Sequence, residues 1–401
     1  MRILLINTFI GVSSTGNLTF EIYKNNLQNG DECIIAYGRE ARKNCENKYQ
    51  ISNRLDYSLH AILTRITDLN GFGSVLTTKK FIKFIDKFAP DVIHLHNIHG
   101  YYVNLKILFE YISEKKIPLV WTFHDCWPFT GHCPYYSNIN CEKWKKGCFQ
   151  CPKKRQHPAS YVLDNSIYNY KMKNKLFHLP EAMVITPVSE WLTEQVKDSF
   201  LKDVEIETVY NGVDLEVFKP RNSDFRLKYK LENKIILLGV AINWVPTKGL
   251  ADLIKLADCL PKEYQIVVIG LDDNQRNTLP SNILGFGRTE NAIQLAEIYS
   301  AADIFINPSR EETFGMVTAE ALACGTPAIV YNATASPELV DSKTGIVVEC
   351  GDINAIISSI EEIMNHPLKS EDCVARAEKL FDKKKNQDKY REIYKRLRGE
   401  K

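Results

Sequence analysis

At 401 residues the chain is longer than one hydrophobic core comfortably fills, so two domains are expected. With 44% apolar and 25% charged residues and a formal net charge of +2, its composition is that of a soluble globular protein and gives no general reason to expect a nucleic-acid partner. No apolar run approaches the ~20 residues that span a bilayer, and Met1-Arg-Ile-Leu-Leu-Ile reads as a buried first strand rather than a secretory signal, which makes the cytoplasm the expected compartment.

Ile3 to Ile6 is the first strand; a loop of small residues, Asn7 to Asn17, and a helix around Phe20, Ile22 and Leu27 follow it. A doubly wound sheet receives ligands at such a loop, but GxGxxG is absent and no dinucleotide site is inferred. Asp31 to Tyr37 is the second strand. Residues 40–75 give no reading, and the four lysines of the Lys79–Phe88 helix read as a solvated face. Asp91 to His99 is a strand with a histidine-rich end. His94 and His96 share one face and need core partners, so a metal is disfavoured; His96, Asn97 and His99, at the strand's C-terminal end, are candidates for substrate contact. Pro118 to Phe123 is the next buried strand and delivers His124 and Asp125 to the same edge, with Asp125 expected to support His124 or the loop.

Five of the eleven cysteines, at 126, 133, 141, 148 and 151, crowd into one segment. Cys133, Cys141, Cys148 and Cys151, with one C-x2-C pair, either close a structural zinc site or are free thiols packed under a loop; disulfides within the flap are a third alternative. The other cysteines are scattered, and a disulfide scaffold is not expected. Lys143, Lys145, Lys146, Lys153, Lys154 and Arg155, interleaved with Trp144 and Phe149, form either a solvated face or a docking surface for an anionic membrane or a phosphate-bearing acceptor.

Ala182 to Ser189 is a strand, followed by a helix around Trp191 to Val196. Ile235 to Val240 opens the second domain, and its loop ends in Thr247-Lys248-Gly249 before a helix from Leu250. Further strands are read at Gln265 to Gly270 and Ile304 to Ile306, and a helix at Val317 to Ala323 closed by Gly325 and Pro327. The stretch Asn307 to Pro327 holds two carboxylates eight positions apart: Glu312 in the loop and Glu320 in the helix. The helix start near Phe314 and Gly315 presents the N–H groups of Gly315, Met316 and Val317 to an anion, and glycine lets a diphosphate approach the backbone. Sugar hydroxyls at Glu312 and ribose hydroxyls at Glu320 would flank that diphosphate; a surface-facing Glu pair is the plainer alternative. Near the C-terminus Tyr390, Ile393, Tyr394 and Leu397 fall on one helical stripe.

Glu312-Thr-Phe-Gly-Met-Val-Thr-Ala-Glu320 with Ala321-Leu-Ala-Cys-Gly-Thr-Pro327 resembles the EX7E signature of retaining glycosyltransferases of family four, and the Cys-rich block resembles a subset of that family acting in bacterial surface polysaccharide assembly. The resemblance implies an α/β chain of GT-B fold, two Rossmann-like doubly wound domains facing across a cleft: an acceptor-binding domain at 1–190 with the Cys-rich insert at 126–155, an ordered lid beside the acceptor groove; a nucleotide-sugar-binding domain at 191–375; and a C-terminal helix at 376–401 that crosses back to the first domain. Val209 to Asp214 resembles the link between the domains.

The same resemblance assigns a sugar contact to His124, diphosphate neutralisation to Lys248, a donor contact to Thr15 and Gly16, and the nucleotide-base loop to Ile283–Glu290, with Arg288 chosen by position. An arginine usual in the family is replaced by Asn243, which leaves Lys248 with more of the charge. The implied reaction transfers a sugar from a nucleotide-sugar donor, UDP being the family's commonest nucleotide, to a glycan or lipid-linked acceptor. It retains configuration and needs no catalytic metal; peripheral association with the inner face of the cell membrane accompanies the lipid-linked case. A nucleotide-sugar epimerase of the same fold and a non-catalytic partner subunit are the alternatives.

Overall fold

The first apolar run, Arg2-Ile-Leu-Leu-Ile, continues as a strand well past Ile6, and the sheet forms around it. In the computed structural model, which describes residues 1–42 and 45–399, contacts divide the chain into two units, Met1–Val209 with Gln387–Lys401 and Tyr210–Asn386.

Unit 1 holds a seven-stranded parallel sheet of β1 (Arg2–Ile10), β2 (Glu32–Ala41), β3 (Lys48–Gln50), β4 (Val92–Leu95), β5 (Leu119–Phe123), β6 (Met183–Pro187) and β7 (Glu205–Ile206), in the order β3-β2-β1-β4-β5-β6-β7. Its central strands are buried along their whole length, as continuous apolar runs are when helices cover both faces of a parallel sheet. β1 pairs with β2 on one side, Ile3 opposite Cys33, and with β4 on the other, Leu5 opposite His94. The strand order therefore reverses between β1 and β4, the place where a sheet of this kind leaves a crevice at its C-terminal edge.

Unit 2 repeats the plan. β8 (Ile235–Val240), β9 (Tyr264–Ile269), β10 (Ile283–Phe286), β11 (Ile304–Asn307), β12 (Ala328–Tyr331) and β13 (Gly345–Val348) lie in the order β10-β9-β8-β11-β12-β13, all parallel, and the reversal falls between β8 and β11. Leu237, Leu253, Leu256, Val268, Ile304 and Ile329 lie in its core.

Three expectations change. The chain divides at Val209–Tyr210, within the expected link Val209 to Asp214 and not at 190, because Ser189 caps the helix Glu190–Lys197 by accepting from Leu192 N and β7 extends the sheet beyond it. Residues 376–386 stay with unit 2: Val213 N donates to Phe381 O at 2.7 Å and Lys383 pairs with Asp214 at 2.6 Å. The chain joins unit 1 from Gln387, where Tyr390, Ile393 and Tyr394 enter its core. Finally, Thr15 and Gly16 lie in the helix Ser13–Gln28 and not in a loop, since β1 runs on to Ile10 and the turn is confined to Gly11 and Val12. A Cβ at Gly16 would sit 3.2 Å from Phe9 Cβ, so this glycine serves close approach of helix to strand.

Candidate functional site

In unit 2 the loops after β8 and β11 meet at the strand reversal. Gly249 has φ 79°, and a Cβ there would fall 2.2 Å from Pro308 O, so only glycine lets the two loops touch. Arg310 N donates to Thr247 O at 2.8 Å and fastens them. Lys248, at the end of the short turn Pro246–Lys248, reaches across and places Nζ 2.5 Å from Glu312 Oε1. The Glu312 backbone is held independently: its N–H donates to Thr334 Oγ1 at 2.8 Å and its carbonyl accepts from Ala335 N. The two side chains that the resemblance assigns to sugar and diphosphate thus form an ion pair.

The helix Met316–Ala323 begins immediately beyond, after Gly315 at φ 101° and with no side chain capping it. A Cβ on Gly315 would meet Leu339 Cδ1 at 2.8 Å, so a larger residue would have to displace that methyl and hold a left-handed backbone. Phe314 is buried against Phe381 and Tyr210 (ring centroids 5.5 and 5.9 Å), so its side chain anchors the loop and only its backbone faces the helix start. Met316 and Val317 are half-buried. Four residues on, burial pushes the Glu320 carboxyl up to about 7, against the pull of the Tyr299 hydroxyl that donates to Oε2 at 3.2 Å.

The missing arginine at position 243 has a local counterpart. Arg288, just after β10, extends Nη2 to Asn243 Oδ1 at 3.0 Å and to Ile242 O at 3.3 Å, bringing a guanidinium to the loop after β8, where the resemblance implies one. Arg310, by contrast, is committed to Asp252 at 2.6 Å, which also accepts from the Tyr331 hydroxyl at 2.9 Å. Spacing did not single out Tyr299, Thr334 or Arg310; each acts through a contact from another loop or helix.

In unit 1, His94, His96 and His124 stand together at the C-terminal ends of β4 and β5. His94 is a satisfied core residue, Nδ1 against Tyr394 Oη at 2.6 Å and Nε2 against Thr122 Oγ1 at 2.7 Å. His96 Nδ1 lies 3.1 Å from His124 Nε2. Burial, then the neighbouring imidazoles, hold His94 down to about 3 and His96 well below the usual histidine range, and burial holds His124 down to about 4 against the raising influence of Asp125. All three are therefore neutral near pH 7 and supply no positive charge; with both His94 nitrogens engaged, only His96 and His124 retain a ring nitrogen for a further hydrogen bond. Asp125 supports His99, not His124: Oδ2 accepts from His99 Nε2 at 2.9 Å and Oδ1 from Trp127 N at 2.9 Å. Burial alone would raise the Asp125 carboxyl, but His99 and the Trp127 N–H hold it below the usual carboxylate range. Asn97 is pinned through its backbone, its carbonyl accepting from Thr8 and Tyr102.

Cys133, Cys141, Cys148 and Cys151 line one cavity of about 10 Å³. All eleven cysteines are free thiols, and among the described residues no three His, Cys, Asp or Glu side chains stand where they could hold a metal ion. The four thiols gather without forming the coordination set expected for zinc: Cys133 hydrogen-bonds Cys151, while Cys148 Sγ accepts from Gly131 N at 3.1 Å. The segment is ordered by apolar burial, with Trp127, Phe129 and Trp144 all inside. Lys173, itself buried, donates to Trp127 O at 2.8 Å and Thr130 O at 3.0 Å, and burial draws its ammonium down to about 7.

Two parallel Rossmann-like units, one with an ion-paired carboxylate and lysine beside an uncapped helix start, define a sugar-transfer enzyme of GT-B fold. The chain belongs to the family-four glycosyltransferases: residues 24–217 match the family model "Glycosyltransferase Family 4" and residues 221–380 match "Glycosyl transferases group 1". It is 26% identical over 336 residues to a 41.2 kDa protein in the cps region of Klebsiella pneumoniae, covering 81% of this chain and 82% of that one. It is 23% identical over 365 residues to the putative colanic acid biosynthesis glycosyl transferase WcaC of Escherichia coli K12, covering 87% of each. Among solved structures, Anabaena HepE in complex with UDP and glucose superposes with a TM-score of 0.67 at 15% identity, covering 98% of each chain. Among the described residues no helix is long and apolar enough to cross a membrane.

Proposed function

We propose that this glycosyltransferase moves a sugar from a nucleotide-sugar donor, a UDP-sugar favoured, to a glycan or lipid-linked acceptor in bacterial surface polysaccharide assembly, with retention of configuration and without a catalytic metal. Its donor domain corresponds to unit 2 and its acceptor domain to unit 1. The relatives from the cps region and from colanic acid biosynthesis support the pathway class, and HepE with bound UDP supports the nucleotide.

The observation that carries the reading is the Lys248–Glu312 pair at 2.5 Å beside the helix start at Gly315. An entering diphosphate offers Lys248 a stronger anionic partner and frees the Glu312 carboxylate to accept from sugar hydroxyls, so the ion pair holds both groups in position before the donor arrives. As the bond from the anomeric carbon to the phosphate oxygen breaks, Lys248, Arg288 and the first N–H groups of the helix stabilise the charge building on the leaving diphosphate. The acceptor hydroxyl attacks from the face the diphosphate leaves and passes its proton to a departing phosphate oxygen, so no covalent enzyme intermediate is required. His124, neutral, exchanges hydrogen bonds with the sugar; Glu320 accepts from the ribose.

The test is a screen of UDP-, GDP- and ADP-sugars against the purified chain, following thermal stabilisation and nucleotide release. One donor class should stabilise the protein; Glu312→Ala should cut turnover by about 10²-fold or more with weaker effects on nucleotide binding, and Lys248→Ala and Arg288→Ala should weaken diphosphate binding. Failure of every nucleotide sugar to bind would overturn the reading. Binding unaffected by Arg288→Ala would remove that residue from it.

A further inference from the structure

The helix Arg54–Thr67 is turned the opposite way from an ordinary surface helix. Its buried positions are His60, Ala61 and Thr64, polar or small, whereas Leu55, Leu59, Ile62 and Ile66 face outward, with Leu55 69% and Leu59 58% exposed. Spacings of four, three and four residues put these four side chains on a single stripe. The segment Tyr161–Leu163, exposed at every residue and 62% so at Val162, lies against the end of this helix: Tyr161 N donates to Arg65 O at 2.8 Å and Leu163 N to Ile66 O at 2.9 Å. Scattered exposed leucines are normal on soluble proteins, but an apolar stripe continued by a second apolar segment marks a surface that something covers.

The charges around it choose the occupant. Arg54 and Arg65 are exposed on the helix itself and Lys154 Nζ bonds to Val162 O at 3.3 Å, so three cations stand beside the stripe against two carboxylates, Asp56, which accepts from Ser52, and Asp164, which accepts from Ser166 and Cys151 N. An apolar strip with a basic margin suits acyl chains beneath anionic headgroups. Two copies of the chain joined through this face would bring their arginines together.

We propose that the stripe Leu55-Leu59-Ile62-Ile66 with Tyr161–Leu163 seats unit 1 on the surface of an anionic lipid bilayer. This deepens the reading of a lipid-linked acceptor, and it moves the expected membrane contact from the basic run at 143–155 to a leucine-rich helix that composition alone left unread. The chain lies on the bilayer through side chains that unit 1 does not need for its own core.

The experiment is flotation of the full chain with vesicles of phosphatidylcholine alone or mixed with an equal part of phosphatidylglycerol. The chain should float with the anionic vesicles, less at raised salt, and far less with neutral ones. Leu59→Ser combined with Val162→Ser should reduce flotation about tenfold or more. Leu227→Ser, which removes an equally exposed but isolated leucine of unit 2, should leave it unchanged. Circular dichroism and nucleotide-sugar stabilisation, both expected to be unaltered in the double variant, separate this surface from the donor site. Absence of flotation with anionic vesicles, equal flotation of wild type and double variant, or a lipid-free dimer that the double variant dissociates would each overturn the inference. None of these outcomes touches the donor reading, which the nucleotide-sugar screen decides.

Discussion

Glu320 shows how far spacing reaches and where it stops. The eight-residue interval to Glu312 puts one carboxylate in a loop and the other in a helix, which the structure bears out, with Glu312 before and Glu320 within Met316–Ala323. Spacing does not show that burial raises the Glu320 carboxyl from 4.5 to about 7. Because the folded value is the higher one, the group's contribution to stability is present below the unfolded pKa and is lost as pH rises through about 7. Between about pH 5 and pH 8 the ligand-free protein should therefore lose thermal stability relative to Glu320→Gln, which has no charge to bury. On the proposed role of Glu320, in which its ionised carboxylate accepts from ribose hydroxyls, nucleotide affinity should rise over the same window in the wild type and stay flat in Glu320→Gln; titration calorimetry at several pH values checks both slopes. The Lys248–Glu312 pair was equally invisible, because residues 64 positions apart meet only once β8 and β11 stand side by side. Of the two roles expected for Asp125, support of His124 or of the loop, the structure gives the second, through Trp127 N, and its other oxygen meets His99, a partner that sequence neighbourhood does not reveal.

Among elements, buried strands were the most legible and their ends the least. β1 overran its expected end because Asn7, polar and buried, finds internal partners in Thr19 Oγ1 and Phe9 O, so the strand can continue where its composition suggests a loop. The helix Arg54–Thr67 went unread because its leucines face water, which leaves the usual apolar periodicity without the inward face it normally reports. The start of Met316–Ala323 was legible because glycine there has a steric reason. Replacing Gly315 by alanine forces a side chain into φ 101° and within 2.8 Å of Leu339 Cδ1. Stability should fall by about 1–3 kcal/mol, and the shifted helix start should weaken nucleotide-sugar binding about tenfold. Urea denaturation and calorimetry of Gly315→Ala measure the two effects separately, and a stability loss with unchanged binding would mean that the diphosphate does not sit at this helix start.

For the molecule as a whole, two domains were expected from length and the stripe Tyr390, Ile393, Tyr394 and Leu397 from a single period; the Rossmann-like plan of both units and the chain's return to unit 1 from Gln387 were expected only through family resemblance. The return has a chemical reason as well as an apolar one. Tyr394 brings its hydroxyl 2.6 Å from Nδ1 of His94, and Thr122, bonded to the other ring nitrogen, also meets the Tyr390 hydroxyl at 3.2 Å. A neutral histidine fully buried in the central sheet needs partners at both nitrogens, and one of them comes from the far end of the sequence. Tyr394→Phe keeps the ring and removes only the hydroxyl, which leaves His94 Nδ1 buried without that partner and should cost about 1–3 kcal/mol. The loss belongs to unit 1. Hydrogen exchange should show faster opening of β4 and β5, while the amides of β8 and β11 and stabilisation by nucleotide sugar stay at wild-type values. Equal acceleration in both units would show that they open together, and no acceleration in either would show that another donor satisfies His94.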